Sequence, residues 1–211
     1  AVSDDRRAAR AALKSLVQLY RDRPETARAR RALEGHMEEI IDGRDLIGLG
    51  ERELLDPFDA AARAMVLSAA KRVTLVTAIS PRAVVDLLFV LVTILGLVRR
   101  LGRLYGGRPG TLGFLRLTRA VLGHLAVTGG MAAGDSIIQQ IVGHGLAARL
   151  SARLGEGVVN GILTARVGIA AIEVCRPLPF IVGKPPSLSD VMSELAKIGA
   201  KRGEKVPPEF S

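Results

Sequence analysis

The sequence predicts an all-α, multi-helix bundle with a central buried apolar helix at about residues 83–105. Apolar residues recur at spacings of three and four along most of the chain. No alternating β-branched run with hairpin punctuation argues for a sheet, and Gly- or Pro-bearing breaks divide the helical stretches. At 211 residues the chain is long enough to bury a substantial core.

Residues 4–22 are rich in Ala, Leu and Arg, and Leu13, Leu16, Val17 and Tyr20 make one apolar stripe. Pro24 occupies a favoured early helical position, and Gly43 is placed to end that helix after Ile40 and Ile41, so residues 1–42 are expected to form a helical hairpin. The main bundle is assigned to residues 43–183. In "GRDLIGLGERELLD" three glycines interrupt the pattern and predict a short helix flanked by turns. Pro57 opens a long helix to about Ile79, whose alanines permit close helix approach, and "SP" at Ser80 and Pro81 stops it. Ser80 is placed to cap the apolar helix that continues to about Tyr105.

"YGGRPGTLG" is the clearest loop. Thr111 is placed to cap a helix from Leu112 to about Thr128, and "GGMAAGD" precedes another from Asp135 to about Leu150. A weak break near Gly155 leads to a last long helix, Gly157 to Cys175, which Pro177 and Pro179 end. Residues 184–211 hold a separate C-terminal helix, with Ser187 and Asp190 in capping-box spacing, and a tail from Lys201 expected to be mobile.

The segment "RAVVDLLFVLVTILGLVRR" sets the question of location. Its sixteen residues from Ala83 to Val98 carry one charge, Asp86. As a helix they reach about 24 Å, short of the ~30 Å hydrocarbon core, and a carboxylate at depth adds ~2.5–3.5 kcal/mol against crossing. A buried helix or a membrane-surface element is therefore favoured over a span, with shallow insertion between flanking arginines left open.

Formal net charge is +9, and no acidic residue stands between Asp86 and Asp135. Arg99, Arg100, Arg103, Arg108, Arg116 and Arg119 fall in that interval and form the candidate membrane or partner surface; a solvated helix flank without a partner explains the charge about as well. Aromatic residues are only 3%, which leaves few stacking platforms for single-stranded nucleic acid, and no nucleic-acid reading motif accompanies the basic charge. The lone Cys175 makes no internal disulfide and has no neighbouring His motif, so it is read as a packing residue in a reducing compartment.

Enzymatic chemistry finds little support. Asp86 lacks the second titratable group that acid–base work requires, and His36, His124 and His144 are too far apart for a metal pair on one helical face. "GGRPGT" has neither the lysine nor the preceding strand of a P-loop, so a plain helix-to-helix turn is favoured over an anion cradle. No catalytic residue, metal or cofactor is assigned. Gly157, Gly161 and Ala165 recur every four residues and predict a tight helix crossing.

The stretches "DGRDLIGLGERELLDPFDAAARAMV", "TAISPRAVVDLLFVLV", "LYGGRPG" and "LSARLGEGVVNGILTARVGIAAIEVCRPLPF" together resemble the YcjF-like family of bacterial inner-membrane proteins, over about residues 10–185. The resemblance implies a helical portion on the cytoplasmic side that follows an upstream membrane hairpin not present in this chain. It also implies association with a YcjX-like or Era-like GTPase. The function expected is a non-enzymatic adaptor or scaffold at the inner membrane, for a GTPase or in envelope stress, with anionic inner-membrane lipid as a partner, no specific nucleic acid, and homo-oligomerisation open. The alternative is a helical lipid- or small-molecule-binding domain with the Val84–Val98 segment lining an apolar cavity.

Overall fold

The computed structural model describes residues 6–37, 39–40, 42–79, 83–107, 111–127 and 146–203. Among these the fold is all-α, without a strand. Helix α1 (Arg6–Leu19) buries Ala9, Leu13 and Leu16, as its stripe predicts. A 3₁₀ turn at Pro24–Thr26 leads into α2 (Ala27–His36). That helix ends well before Gly43, which instead begins α3 (Gly43–Gly50). The reason is Asp42, whose Oδ1 accepts from the backbone N–H groups of Arg44 at 2.6 Å and Asp45 at 3.2 Å and so caps the new helix. Packing places α1 mainly on α3 and α2 on the turn that follows it.

No turn separates α3 from the long helix. A π-helical turn, Glu51–Leu55, joins it directly to α4 (Asp56–Ile79). Pro57 accounts for the widened turn, because it has no N–H to give the carbonyl four residues back and its ring crowds that carbonyl. The glycines that suggested interruption serve close packing instead: a Cβ on Gly50 would lie 2.3 Å from Leu13 Cδ2, and one on Gly48 2.9 Å from Val182 Cγ2.

Helix α5 spans Ala83–Leu104 and α6 Thr111–Val127. Ser80, Pro81, Arg108 and most of the helix expected from Asp135 lie outside the described residues. Helix α7 (Leu146–Cys175) runs through Gly155 without the expected break. Arg176 and the two prolines end it, and α8 (Leu188–Gly203) follows, with Ser187 Oγ accepting from the Asp190 N–H at 3.3 Å. Lys201 still belongs to this helix, and the tail beyond Gly203 lies outside the described residues.

The core is one continuous cluster from Leu13 of the N-terminal helix and Tyr20 just after it to Val191 and Leu195 of the last helix. Its axis is the α4–α7 crossing, the most extensive helix pairing among the described residues. The spacing of small residues in α7 holds as predicted. A Cβ on Gly157 would fall 2.6 Å from the Thr74 carbonyl oxygen, and one on Gly161 2.0 Å from Thr74 Oγ1.

The apolar helix α5 is only half as buried as its composition suggested. Leu97, Val98, Leu101 and Tyr105 are in the core, whereas Leu87, Leu88, Leu91 and Val92 are exposed. Hydropathy sets how strongly a side chain avoids water, but a neighbour must be present to cover it, and among the described residues of α5 full cover begins at Leu97.

The end of α5 is closed by a Schellman motif. Gly106 N–H donates to Arg103 O at 3.1 Å and Gly107 N–H to Gly102 O at 2.8 Å, with Gly106 at φ 96°. Arg23 adds a cationic cap, donating to Leu104 O at 2.8 Å and Arg103 O at 2.6 Å. Gly106→Ala is expected to lose about 1–2 kcal/mol in chemical denaturation, because the backbone is left-handed and Leu19 carbons lie 3.1–3.3 Å from the added Cβ. An unchanged midpoint would show that this turn carries no strain.

Candidate functional site

Two sets of side chains stand out, one on the surface and one inside. On the surface, Arg99, Arg100 and Arg103 occupy the last turns of α5 and Arg116 and Arg119 the first half of α6, all exposed. The two helices meet there, with the Arg99 guanidinium 5.8 Å from the centre of the Phe114 ring. Arg108, expected in the same group, lies outside the described residues.

Along α5 from these arginines, the opposite end is apolar and bare. Leu87 is 70% exposed and Val92 68%, with Leu88 and Leu91 beside them. The end of α4 adds Ile79 at 66%. Twelve residues of helix separate Leu87 from Arg99, or about 18 Å, close to the ~15 Å depth of half a hydrocarbon core. Leu115 and Leu122 of α6 are exposed as well. Exposed apolar side chains that lie together commonly mark interaction surfaces, and arginines near them favour partners with apolar and anionic character.

A groove of about 260 Å³ opens between α4 and α5 beside this surface, with Arg72 and Arg100 on its rim. It is the described cavity that touches the Val84–Val98 segment, through Thr93. A second, of about 180 Å³, lies among α4, α7 and α8 and includes Val66, Leu67, Ile169 and Val191.

Inside the fold is an ion cluster that was not read from the sequence. Arg176, at the end of α7, donates through Nη2 to Glu51 Oε1 at 3.0 Å and Asp59 Oδ2 at 2.9 Å, and through Nε to Asp59 Oδ1 and Oδ2 at 3.1 Å. Its Nη1 donates to Leu178 O at 2.5 Å, and the guanidinium lies 3.7 Å from the Phe180 ring centre. Glu51 Oε2 accepts from the N–H groups of Ile181 and Val182, both at 2.8 Å, and its Oε1 from Gly183 at 3.1 Å. Tyr105 O–H donates to Asp59 Oδ1 at 2.7 Å, and Tyr20 O–H to the Tyr105 carbonyl at 3.2 Å.

Each carboxylate is therefore occupied by protein donors, and Glu51 is fully buried. The arrangement pins the segment after α7 onto the π turn and the start of α4; it leaves no free base facing a substrate. A detectable signal did exist, since Glu51 and Asp59 are eight residues apart, on one face of continuous helix, but their cation is more than a hundred residues away.

The cluster is expected to contribute to the pH dependence of stability. Burial alone would raise the Glu51 carboxyl, but the N–H donors of Val182, Ile181 and Gly183, with Arg176, bring it below its ordinary 4.5. Its stabilising contribution is thus present above 4.5 and lost as pH falls through the lower folded value. Burial pushes Tyr20 from 10.0 up to about 12, and burial with the hydrogen bond to Asp59 pushes Tyr105 higher still. These contributions are full below 10.0 and disappear as pH rises above it. Thermal melts across pH should show both limbs, with Glu51→Gln flattening the acid one and Tyr105→Phe reducing the alkaline one. Limbs that persist unchanged in both variants would assign them to other groups.

The remaining singled-out residues gather no chemistry. His36 is exposed with Nδ1 2.7 Å from Ala32 O, and the side chains of Asp86 and His124, and all of His144, lie outside the description. Among the described residues no group of three His, Cys, Asp or Glu is arranged to hold a metal. Burial pushes the Cys175 thiol up to about 11, which keeps it protonated and a poor nucleophile. One described stretch, Gly155–Cys175 of α7, is long and apolar enough to cross a membrane, and half of it is buried inside the fold.

Residues 41–201 match a family described as "Domain of unknown function (DUF697)". A "UPF0283 membrane protein" of Mesorhizobium japonicum is 60% identical over 199 residues, covering 94% of this chain and 55% of the relative. Another, of Bradyrhizobium diazoefficiens, is 58% identical over 195 residues, covering 92% and 57%. A third, of Brucella anthropi, is 57% identical over 205 residues, covering 97% and 57%. The chain thus spans little more than half the length of the curated relatives it matches. No solved structure matches it.

Proposed function

The chain belongs to the DUF697 family and its relatives are named membrane proteins, and from that premise we propose that it is a membrane-associated, non-enzymatic helical module. In this reading the end of α5 bearing Leu87, Leu88, Leu91 and Val92, with Ile79, dips into one leaflet. Arg99, Arg100, Arg103, Arg116 and Arg119 stay among anionic headgroups, and the remaining helix faces act as an adaptor for protein partners. The observation that carries the proposal is the bare apolar run ending in arginines at about one leaflet's depth.

The magnitudes are compatible with reversible surface binding. Burial of one Leu or Val side chain contributes about 1.5–3 kcal/mol, and each arginine near an anionic surface about 1 kcal/mol. Co-sedimentation with phosphatidylglycerol vesicles is expected to exceed that with phosphatidylcholine and to weaken in salt. The double variant Leu88→Asp, Val92→Asp should lower partitioning on the order of 100-fold or more. Partitioning indifferent to lipid charge, salt and these substitutions would remove the proposal.

The resemblance to the YcjF-like family supports a cytoplasmic orientation at a bacterial inner membrane and a GTPase among the adaptor's partners. Pull-down of the full-length protein from its native membranes tests the partner: repeated recovery of one GTPase supports it, and recovery of none argues against it.

A further inference from the structure

The groove between α4 and α5 is built from two matching half-sites. Ser68 and Arg72, one turn apart on α4, face Thr93 and Arg100, two turns apart on α5, so each helix brings a hydroxyl and a guanidinium to the same opening. Met65 and Ala69 provide an apolar wall. Gly96 lies on the same face of α5 between Thr93 and Arg100, and a Cβ there would meet nothing within 4 Å.

Among the described residues no carboxylate neutralises this charge. The described ion pairs do not include Arg72 or Arg100, and the groove lining contains no carboxylate. Arg100 makes one bond, from Nε to Gly96 O at 3.3 Å, which orients the guanidinium along α5. Paired guanidinia with adjacent hydroxyls suit the oxygens of a phosphate diester. The volume of about 260 Å³ falls below the roughly 300–1,000 Å³ of pockets that enclose drug-sized ligands, so a headgroup fits and acyl chains must lie outside. Leu91 and Val92, in the same turn of α5 as Thr93, are exposed, so apolar surface for those chains lies on the adjoining flank of the helix.

We infer that the α4–α5 groove is a site for the phosphate of an anionic phospholipid, held by Arg72, Arg100, Ser68 and Thr93, with the lipid chains continuing over the apolar run of α5. The site deepens the membrane reading above and rests on it. It converts a diffuse electrostatic attraction into a stoichiometric contact and adds Arg72 to the arginines the sequence singled out.

The test is titration of the 211-residue chain with a short-chain phosphatidylglycerol below its micelle concentration, followed by NMR shifts, with inorganic phosphate and a short-chain phosphatidylcholine titrated in parallel. Arg72→Gln, Arg100→Gln is expected to weaken phosphatidylglycerol binding about 10–100-fold. Ser68→Leu, which replaces a lining hydroxyl with bulk at unchanged charge, should do the same. Arg28→Gln, Arg31→Gln on α2 makes the same change in net charge and should leave it unaltered. Saturable binding with that pattern supports the site. No saturable binding by the wild type, equal loss in the two charge pairs, or inorganic phosphate binding as tightly as the lipid would each overturn it. Vesicle partitioning lost while the short-chain lipid still binds counts against the membrane reading alone; the converse counts against the groove alone.

Discussion

Arg176→Met is expected to lower stability by about 3–5 kcal/mol, the largest single-residue effect in the protein. Methionine fills much of the volume but leaves Glu51 and Asp59 buried without their cation, and it frees the Leu178 carbonyl. In a chain of this length that loss corresponds to roughly 10 °C or more in the thermal midpoint. The penalty arises from stranded carboxylates rather than from an attractive pair, so the double variant Asp59→Asn, Arg176→Met should lose clearly less than the sum of the singles. Additive losses would mean that the two side chains stabilise the fold independently. The same variant should loosen residues 176–183 first, because Glu51 holds the N–H groups of Ile181, Val182 and Gly183, and hydrogen exchange at those amides reads that directly.

Gly157→Ala and Gly123→Ala are expected to change stability in opposite directions. Alanine is the better helix former by about 0.5–1 kcal/mol, and at Gly123 a Cβ meets nothing within 4 Å, so stability should rise by up to that amount. At Gly157 the same methyl would stand 2.6 Å from Thr74 O and 3.2 Å from Ala78 N. Neither is a side chain able to swing aside, so α4 and α7 must separate, with an expected loss of about 1–3 kcal/mol. Combining Gly157→Ala with Gly161→Ala should cost more, since both positions lie on the same crossing. Denaturant melts of the three variants decide it, and a stabilised Gly157→Ala would show that the helices do not approach as closely as described.

Much of the helix order was legible because it depends on local chemistry. Pro24, Pro57, Pro177 and Ser187 act on their own backbone neighbours, and each stands at a helix end or a disturbed turn. Glycine was more ambiguous. Gly106 ends a helix, whereas Gly43 begins one and Gly48 and Gly50 lie within it. The chain encodes the absence of a Cβ, and only the surrounding structure shows whether that absence serves a turn or a close contact.

The candidate surface was partly legible. Five of its six arginines are described and exposed, and the charge block that marked them is a one-dimensional feature. The proximity of Arg72 to Arg100 was not legible, because the two belong to different helices and line one groove only when α4 and α5 pack. The ion cluster was missed for the same reason on a larger scale: Arg176 stands 125 residues from Glu51 and 117 from Asp59.

The sequence by itself determined the helical class, the apolar character of residues 83–98, the basic block and the small-residue face of α7, because periodicity and local backbone preferences are carried by neighbouring residues. Tertiary structure alone decided which half of α5 is covered, which carboxylates share Arg176 and which two arginines face one groove. These depend on contacts between distant segments, and the free energy of an apolar or charged side chain follows from what finally surrounds it.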